Sequence, residues 1–278
     1  MTLREKLNCR PKLRTVNTMK KVLSRVFSAF LAIFLLISFP VQIYAAEGLS
    51  WYTKRAADNK QPRLDGKLSV IKKYNAAWID EAHGDSNDEK VLYLTFDFGY
   101  ENGNTERILN TLKEKGVVAS FFVLAHPISA NTDLILRMFN EGHAVCNHTA
   151  HHKNMANCKD KAEFFAELTE LEEICKITTG FDIDKYYRPP EGSFSEENLK
   201  YATEMGYKTV FWSFAYADWD NDNQMPRDKA IKKVLDNTHN GAVILLHPTS
   251  ETNADILGEL IDRWRADGYE FATVKELP

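Results

Sequence analysis

The chain is 278 residues long, 44% hydrophobic and 27% charged, which excludes a disordered chain, a collagen-like fibre and a small disulfide scaffold. Its formal net charge of −4 conceals an uneven distribution: residues 1–46 hold eight Lys/Arg and one acid, and the remainder nets −11. An acidic body argues against nucleic acid or an anionic polymer as the main ligand, because phosphate binding needs a positive face.

In chain order, Lys20, Lys21 and Arg25 lead into Val26–Phe39, a 14-residue apolar run closed by Pro40 and followed by Ala45-Ala46. A spanning helix needs ~20 apolar residues. The basic end, short apolar middle and small residues therefore predict a secretory signal over residues 1–46. Met19, directly before the lysines, predicts that residues 1–18 are an upstream start extension. An uncleaved membrane anchor is the alternative, and in both cases the body lies outside the cytoplasmic membrane. Residues 47–87 are polar and mixed. They are predicted to be an extension lying on the main domain, anchored by Trp51, Tyr52 and Trp78.

Strand and helix patterns alternate over residues 88–278. Strands are predicted at Val91–Phe96, Val118–Leu124, His143–Asn147, Tyr186–Arg188, Lys208–Ser213, Ala242–His247 and Glu270–Thr273. Helices are predicted at Thr105–Lys115, Asp133–Glu141, Asp160–Thr178 (with Gly180 as its C-cap), Ser195–Met205, Arg227–Asn237 and Asp255–Ala266. Such alternation means parallel strands with helices outside. About seven units predict an α/β fold, a small (β/α)-type barrel, incomplete or distorted, with an open doubly wound sheet as the alternative. Cys9 falls in the leader. Cys146, Cys158 and Cys175 make an odd set with no closed disulfide framework, and a Cys158–Cys175 bridge stays open.

Polar residues stand at or just beyond the ends of these strands: Asp97, His148 and His152, Arg188, Asp218 and His247. In a parallel barrel all map to the C-terminal mouth, where active sites of such folds sit. Singly, an Asp there is a helix cap and a His a bonded core residue; such residues after five strands, all at one end, point to chemistry. A spacing of four places His148 and His152 on one face of a helical turn, half of a zinc-type site. His151 between them is predicted to face solvent.

The stretches TFDFG, HTAHH, RPPEG, ADW and LLH resemble the five ordered motifs of the polysaccharide deacetylases, the NodB-homology carbohydrate esterases. The longer strings TFDFGYENGNT and FWSFAYADWDNDNQ resemble the subgroup that de-N-acetylates muramic acid in forming the muramic δ-lactam of the spore cortex. The resemblance implies a distorted (β/α)7 barrel over residues 88–278. It also implies a secreted, metal-dependent amidohydrolase acting on the glycan strands of peptidoglycan, in the cell wall or spore cortex space. No protein partner is implied, and the membrane enters only through the leader.

Residue by residue, the resemblance makes Asp97 the catalytic base and His148 and His152 the metal ligands. Arg188 orients Asp97, Asp218 sets the ionisation of its neighbours, and His247 is the general acid. Trp219 and Leu245 wall the acetyl-methyl pocket. Amide hydrolysis needs such a set: a base for water, an acid for the departing nitrogen and donors for the oxyanion. Because the two prolines of RPPEG have no N–H, Glu191 or its neighbour Gly192 is the backbone donor expected there.

Phe98 stands where the family has a third, carboxylate ligand, and Phe cannot coordinate. A divalent Zn, Co or Mn ion is therefore expected to be weakly bound. Three outcomes stay open: two histidines completed by water, a substitute ligand (Cys146, Glu101 or Asn102), or hydrolysis without metal. Ala215 replaces the first Asp of the longer DxxDW motif, again as in the muramic acid subgroup. The alternative functions are deacetylation of N-acetylglucosamine in peptidoglycan or chitin-like oligomers, and a glycan-binding pseudoenzyme.

Overall fold

The computed structural model describes residues 48–278. The predicted leader, its start extension and Cys9 lie outside the described residues. No helix among the described residues is long and apolar enough to cross a membrane.

The strands are β1 (Leu49–Ser50), β2 (Ala76–Ala77), β3 (Lys90–Phe98), β4 (Ser120–Val123), β5 (Ala144–Asn147), β6 (Asp184–Tyr187), β7 (Ser193–Phe194), β8 (Lys208–Val210), β9 (Ala242–Leu246) and β10 (Tyr269–Ala272). The helices are α1 (Asn104–Lys115), α2 (Ala125–Ala130), α3 (Thr132–Asn140), α4 (Lys161–Thr179), α5 (Glu196–Glu204), α6 (Arg227–Leu235) and α7 (Glu251–Ala266). All seven predicted strands and six predicted helices are present.

A parallel sheet runs β10-β3-β4-β5-β6-β8-β2, with β9 on the other edge of β3. β9 meets the far edge of the sheet only through two single bridges, Phe214–Ile244 from the segment after β8 and Ile79–Ala242 from the segment after β2. The sheet thus curls into a distorted (β/α)7-type barrel, and an open doubly wound sheet is excluded.

Alternation along β3 sets both layers. Leu92, Leu94, Phe96 and Phe98 join the helix-facing core with Ile108, Leu112, Ile256 and Leu260. Tyr93 joins the barrel interior with Phe122, Cys146 and Val243, and Thr95 and Asp97 continue that inward face. α4 starts on Asp160, whose carboxylate accepts the Glu163 N–H at 2.9 Å. It ends on Gly180 at φ +80°, the predicted C-cap.

The extension packs through Trp51 and Trp78, both buried with Leu68, Ile71, Phe194 and Phe211. Tyr52, expected as a third anchor, is instead 45% exposed. β1 pairs antiparallel with β7, so the extension reaches the segment just after Arg188. Cys146, Cys158 and Cys175 are free thiols, so the Cys158–Cys175 bridge does not form.

Candidate active site

Asp97 ends the inward face of β3, and its Oδ1 pairs with Arg188 Nη1 at 2.7 Å. Arg188 follows β6 and is fully buried. Its Nε donates to Val210 O at 3.1 Å and its Nη2 to Phe211 O at 3.3 Å. Its guanidinium lies 4.0 Å from the centre of the Phe122 ring. A planar fork fixed on three sides cannot follow a moving partner, so it sets the rotamer of Asp97. Burial raises the carboxyl's pKa, but the Arg188 guanidinium and the imidazoles of His148 and His247 outweigh it and hold it below the usual carboxylate value. Asp97 is an ionised carboxylate at neutral pH.

His148 follows β5. Its Nδ1 lies 2.9 Å from Arg188 O, and since a carbonyl only accepts, Nδ1 carries the proton. Burial pushes its pKa down to about 4, so the ring is neutral at pH 7 and Nε2 keeps its lone pair. That Nε2 is 3.6 Å from Asp97 Oδ2. The ring of His152 is 5.0 Å away, centroid to centroid.

The helical turn expected to join the two histidines is absent. They sit on a loop in which Thr149 (φ +73°) and His152 (φ +55°) are both left-handed, at a cost of roughly 1–2 kcal/mol each. Buried Glu167 of α4 holds this loop. It accepts the His151 N–H at 3.1 Å and pairs with Lys153 Nζ at 2.7 Å. His151 is exposed, as expected, and its Nδ1 also meets Glu167 at 3.1 Å.

His247 follows β9. Its Nδ1 is 2.7 Å from Asp218 Oδ1, and its backbone N–H donates to Asp218 Oδ2 at 2.8 Å. Burial lowers its pKa, but the hydrogen bond and charge of Asp218 win, and the net shift is upward. Asn253 of α7 donates to Asp218 Oδ2 at 2.6 Å and is itself held by Tyr216. Neither Asn253 nor Tyr216 was expected; the only trace in the sequence is Ser250, the N-cap of α7, which fixes Asn253 by accepting its N–H at 3.1 Å.

Leu245 is buried on the inward face of β9, in register with Thr95. Trp219 is 63% exposed beside Asp218. The RPPEG segment turns sharply, with Glu191 at φ +58° and Gly192 at φ +66°. A Cβ on Gly192 would lie 2.9 Å from both Trp212 and Trp51, so only glycine fits. The Gly192 N–H already donates to Pro189 O at 3.1 Å, and its carbonyl accepts from Trp51 N at 2.8 Å.

Phe98 is fully buried in the helix-facing core, across the strand from Asp97. Of the suggested substitute ligands, Cys146 lies in the barrel interior with its thiol pushed up by burial. Glu101 accepts from the Gly103 N–H, and Asn102 donates to Thr249 O at 2.7 Å. Among the described residues no three His, Cys, Asp or Glu side chains are grouped to hold a metal ion. His148 and His152 are the nitrogen donors a divalent ion would find here.

An ionised carboxylate and a carboxylate-backed imidazole thus stand at the C-terminal ends of adjacent strands, β3 and β9. The model of the polysaccharide deacetylase family matches residues 84–210. The chain is 39% identical over 233 residues to the peptidoglycan-N-acetylmuramic acid deacetylase PdaA of Bacillus subtilis, covering 83% of this chain and 86% of that protein. It is 33% identical over 214 residues to a peptidoglycan-N-acetylglucosamine deacetylase of Bacillus cereus, covering 76% and 74%. The solved structure of B. subtilis PdaA, a family 4 carbohydrate esterase, matches with a TM-score of 0.78 at 38% identity, over 83% of this chain and 97% of that one. The chain belongs to the polysaccharide deacetylase family, and is a family 4 carbohydrate esterase, a hydrolase of the amide bond.

Proposed function

We propose that this hydrolase removes the acetyl group from N-acetylmuramic acid in peptidoglycan glycan strands, outside the cytoplasmic membrane. The observation that carries the reading is two carboxylate pairings of opposite effect: Arg188 holds the pKa of Asp97 down, and Asp218 raises that of His247. Asp97 takes a proton from the attacking water. The Glu191 N–H, unlike that of Gly192, is not committed to a neighbouring carbonyl and is assigned to the oxyanion. His247 gives its proton to the departing nitrogen as the C–N bond breaks, leaving acetate and a free amine. Leu245 and Trp219 form the wall against the acetyl methyl group.

The imidazoles of His148 and His152 would hold a divalent ion such as Zn²⁺, Co²⁺ or Mn²⁺. Such an ion supplies Lewis-acid polarisation of the carbonyl when bound. The fuller match to the muramic acid enzyme, in identity and in length, favours muramic acid over glucosamine. The motif strings extend the proposal to muramic δ-lactam formation in the spore cortex, with a secretory leader or anchor at residues 1–46.

Mass spectrometry of defined glycan strands, with and without stem peptides, tests this. Loss of one acetyl group from muramic acid is expected. Loss from glucosamine alone would select the alternative substrate, and binding without acetate release would mean a pseudoenzyme.

A further inference from the structure

Away from Asp97 and His247, a groove of about 530 Å³ runs along α6 beneath the strap formed by residues 53–62. Arg55, Lys60, Lys229, Lys232 and Lys233 line it, against one carboxylate, Asp236. This is a local excess of four positive charges on a body that is strongly acidic.

Ordinary helix electrostatics accounts for part of it. Lys232 and Lys233 lie in the last turn of α6, where the helix dipole favours cations, and Lys232 pairs with Asp236 at 2.7 Å. Lys229 lies in the first turn, where the dipole disfavours a cation, and four residues before Lys233, a like-charge spacing that weakens a helix. On the strap, Arg55 reaches only the Asp236 carbonyl, at 2.8 Å. Among the described residues Lys60, Lys229 and Lys233 belong to no ion pair. The strap is pinned by the left-handed pair Asp58 and Asn59, with Asn59 Nδ2 donating to Leu235 O at 2.8 Å and Thr238 O at 2.7 Å. Cations from strap and helix are thus held across the groove without a matching number of carboxylates.

We propose that this groove binds carboxylates of the glycan strand, carried by muramic acid residues neighbouring the one being deacetylated; the inference rests on the functional reading above. Phe214, Ala215 and Met225 also line the groove. These residues flank the loop bearing Asp218 and Trp219, and Gln224, next to Met225, donates to Asp218 O at 3.0 Å. The groove and the catalytic mouth therefore share one loop. A strand bearing a carboxylate on every muramic acid is repelled by an acidic body, and a basic track on the same loop offsets that repulsion. A neutral chitin-like strand gains nothing from it, so the groove favours muramic acid-containing substrates.

The test is the double substitution Lys229→Gln, Lys233→Gln, both on exposed positions. With peptide-free muramic acid-containing strands, KM is expected to rise about three- to tenfold with kcat unchanged, and its dependence on salt to flatten. KM for a neutral N-acetylchitooligosaccharide is expected to stay constant. An unchanged KM and salt slope on the anionic strand would overturn the proposal. So would competition by inorganic polyphosphate at concentrations where the strand does not bind, which would assign the groove to a phosphate polymer. Strand binding to Asp97→Asn protein, by calorimetry with and without the two lysines, scores the groove even where no acetate is released. Failure of the groove and failure of the deacetylase reading are thereby distinguished.

Discussion

Asp218 grips His247 twice, through the ring Nδ1 at 2.7 Å and through the backbone N–H at 2.8 Å. The carboxylate that raises the imidazole's pKa also holds its backbone. Nε2 is left as the proton donor toward the barrel mouth.

The Asp218→Asn variant should therefore change a pH profile and not only a rate. Asp218 raises the pKa of His247, so a reaction that needs protonated His247 persists to higher pH than an ordinary imidazole allows. Removing the charge is expected to move the alkaline limb of kcat/KM to lower pH and to cut turnover by ~10²-fold or more. An unmoved alkaline limb would assign the acid to another group.

For Asp97→Asn, the expected result is a loss of turnover of ~10²–10⁴-fold, because an amide cannot take the proton from water. The amide oxygen can still accept from Arg188, but the buried guanidinium loses its counter-charge. Breaking a buried pair costs about 3–5 kcal/mol, so thermal unfolding should show a lower midpoint. Retention of more than about a tenth of the activity would remove Asp97 from the role of base.

Metal dependence is expected to follow the two imidazoles. Dialysis against a chelator should remove activity, and Zn²⁺, Co²⁺ or Mn²⁺ should restore it in the wild type but not in His148→Ala or His152→Ala. Activity that survives chelation and both substitutions would leave Asp97 and His247 to act alone. Phe98→Asp would begin with its carboxylate in the helix-facing core. It should lower stability by about 3–5 kcal/mol, read as a drop in the urea midpoint.

Far from the mouth, His143 gives a stability signature. It is buried and its Nδ1 accepts the Ala119 N–H at 3.1 Å. Burial pushes its pKa down to about 4. An unfolded His protonates near 6.5 while the folded one stays neutral, so the unfolded chain binds more protons between those values. Stability should therefore fall as pH drops from 6.5 toward 4, by ~3 kcal/mol from this group. Urea unfolding across that range should show a shallower fall in His143→Gln than in the wild type.

Barrel strands were legible because each is a short apolar run that stops at a polar residue. The same stops placed Asp97, Arg188 and His247 at one end. Spacing failed at His148 and His152: it proposed a helical turn, where a loop tied to Glu167 uses two left-handed residues instead. Asn253 was invisible because its partner is 35 residues away and its own surroundings read as an ordinary helix start. The two-residue strands β1, β2 and β7 escaped because pairing that short is set by tertiary contacts, not by periodicity. Cys158 and Cys175 show the limit of counting, since a plausible pair of thiols stays apart.

The crowding at Gly192 bears on where this molecule can be cut. The family model begins at residue 84, but the turn after Arg188 is packed from outside by Trp51. That indole also donates to Trp212 O at 2.9 Å and stacks on Phe211 at 4.3 Å. Phe211 is one of the carbonyls that hold the Arg188 guanidinium. A fragment beginning at residue 84 and running to the C-terminal end would keep every motif residue, yet it would lose the buttress behind two of them. The smallest working piece is therefore larger than the piece by which the family is recognised.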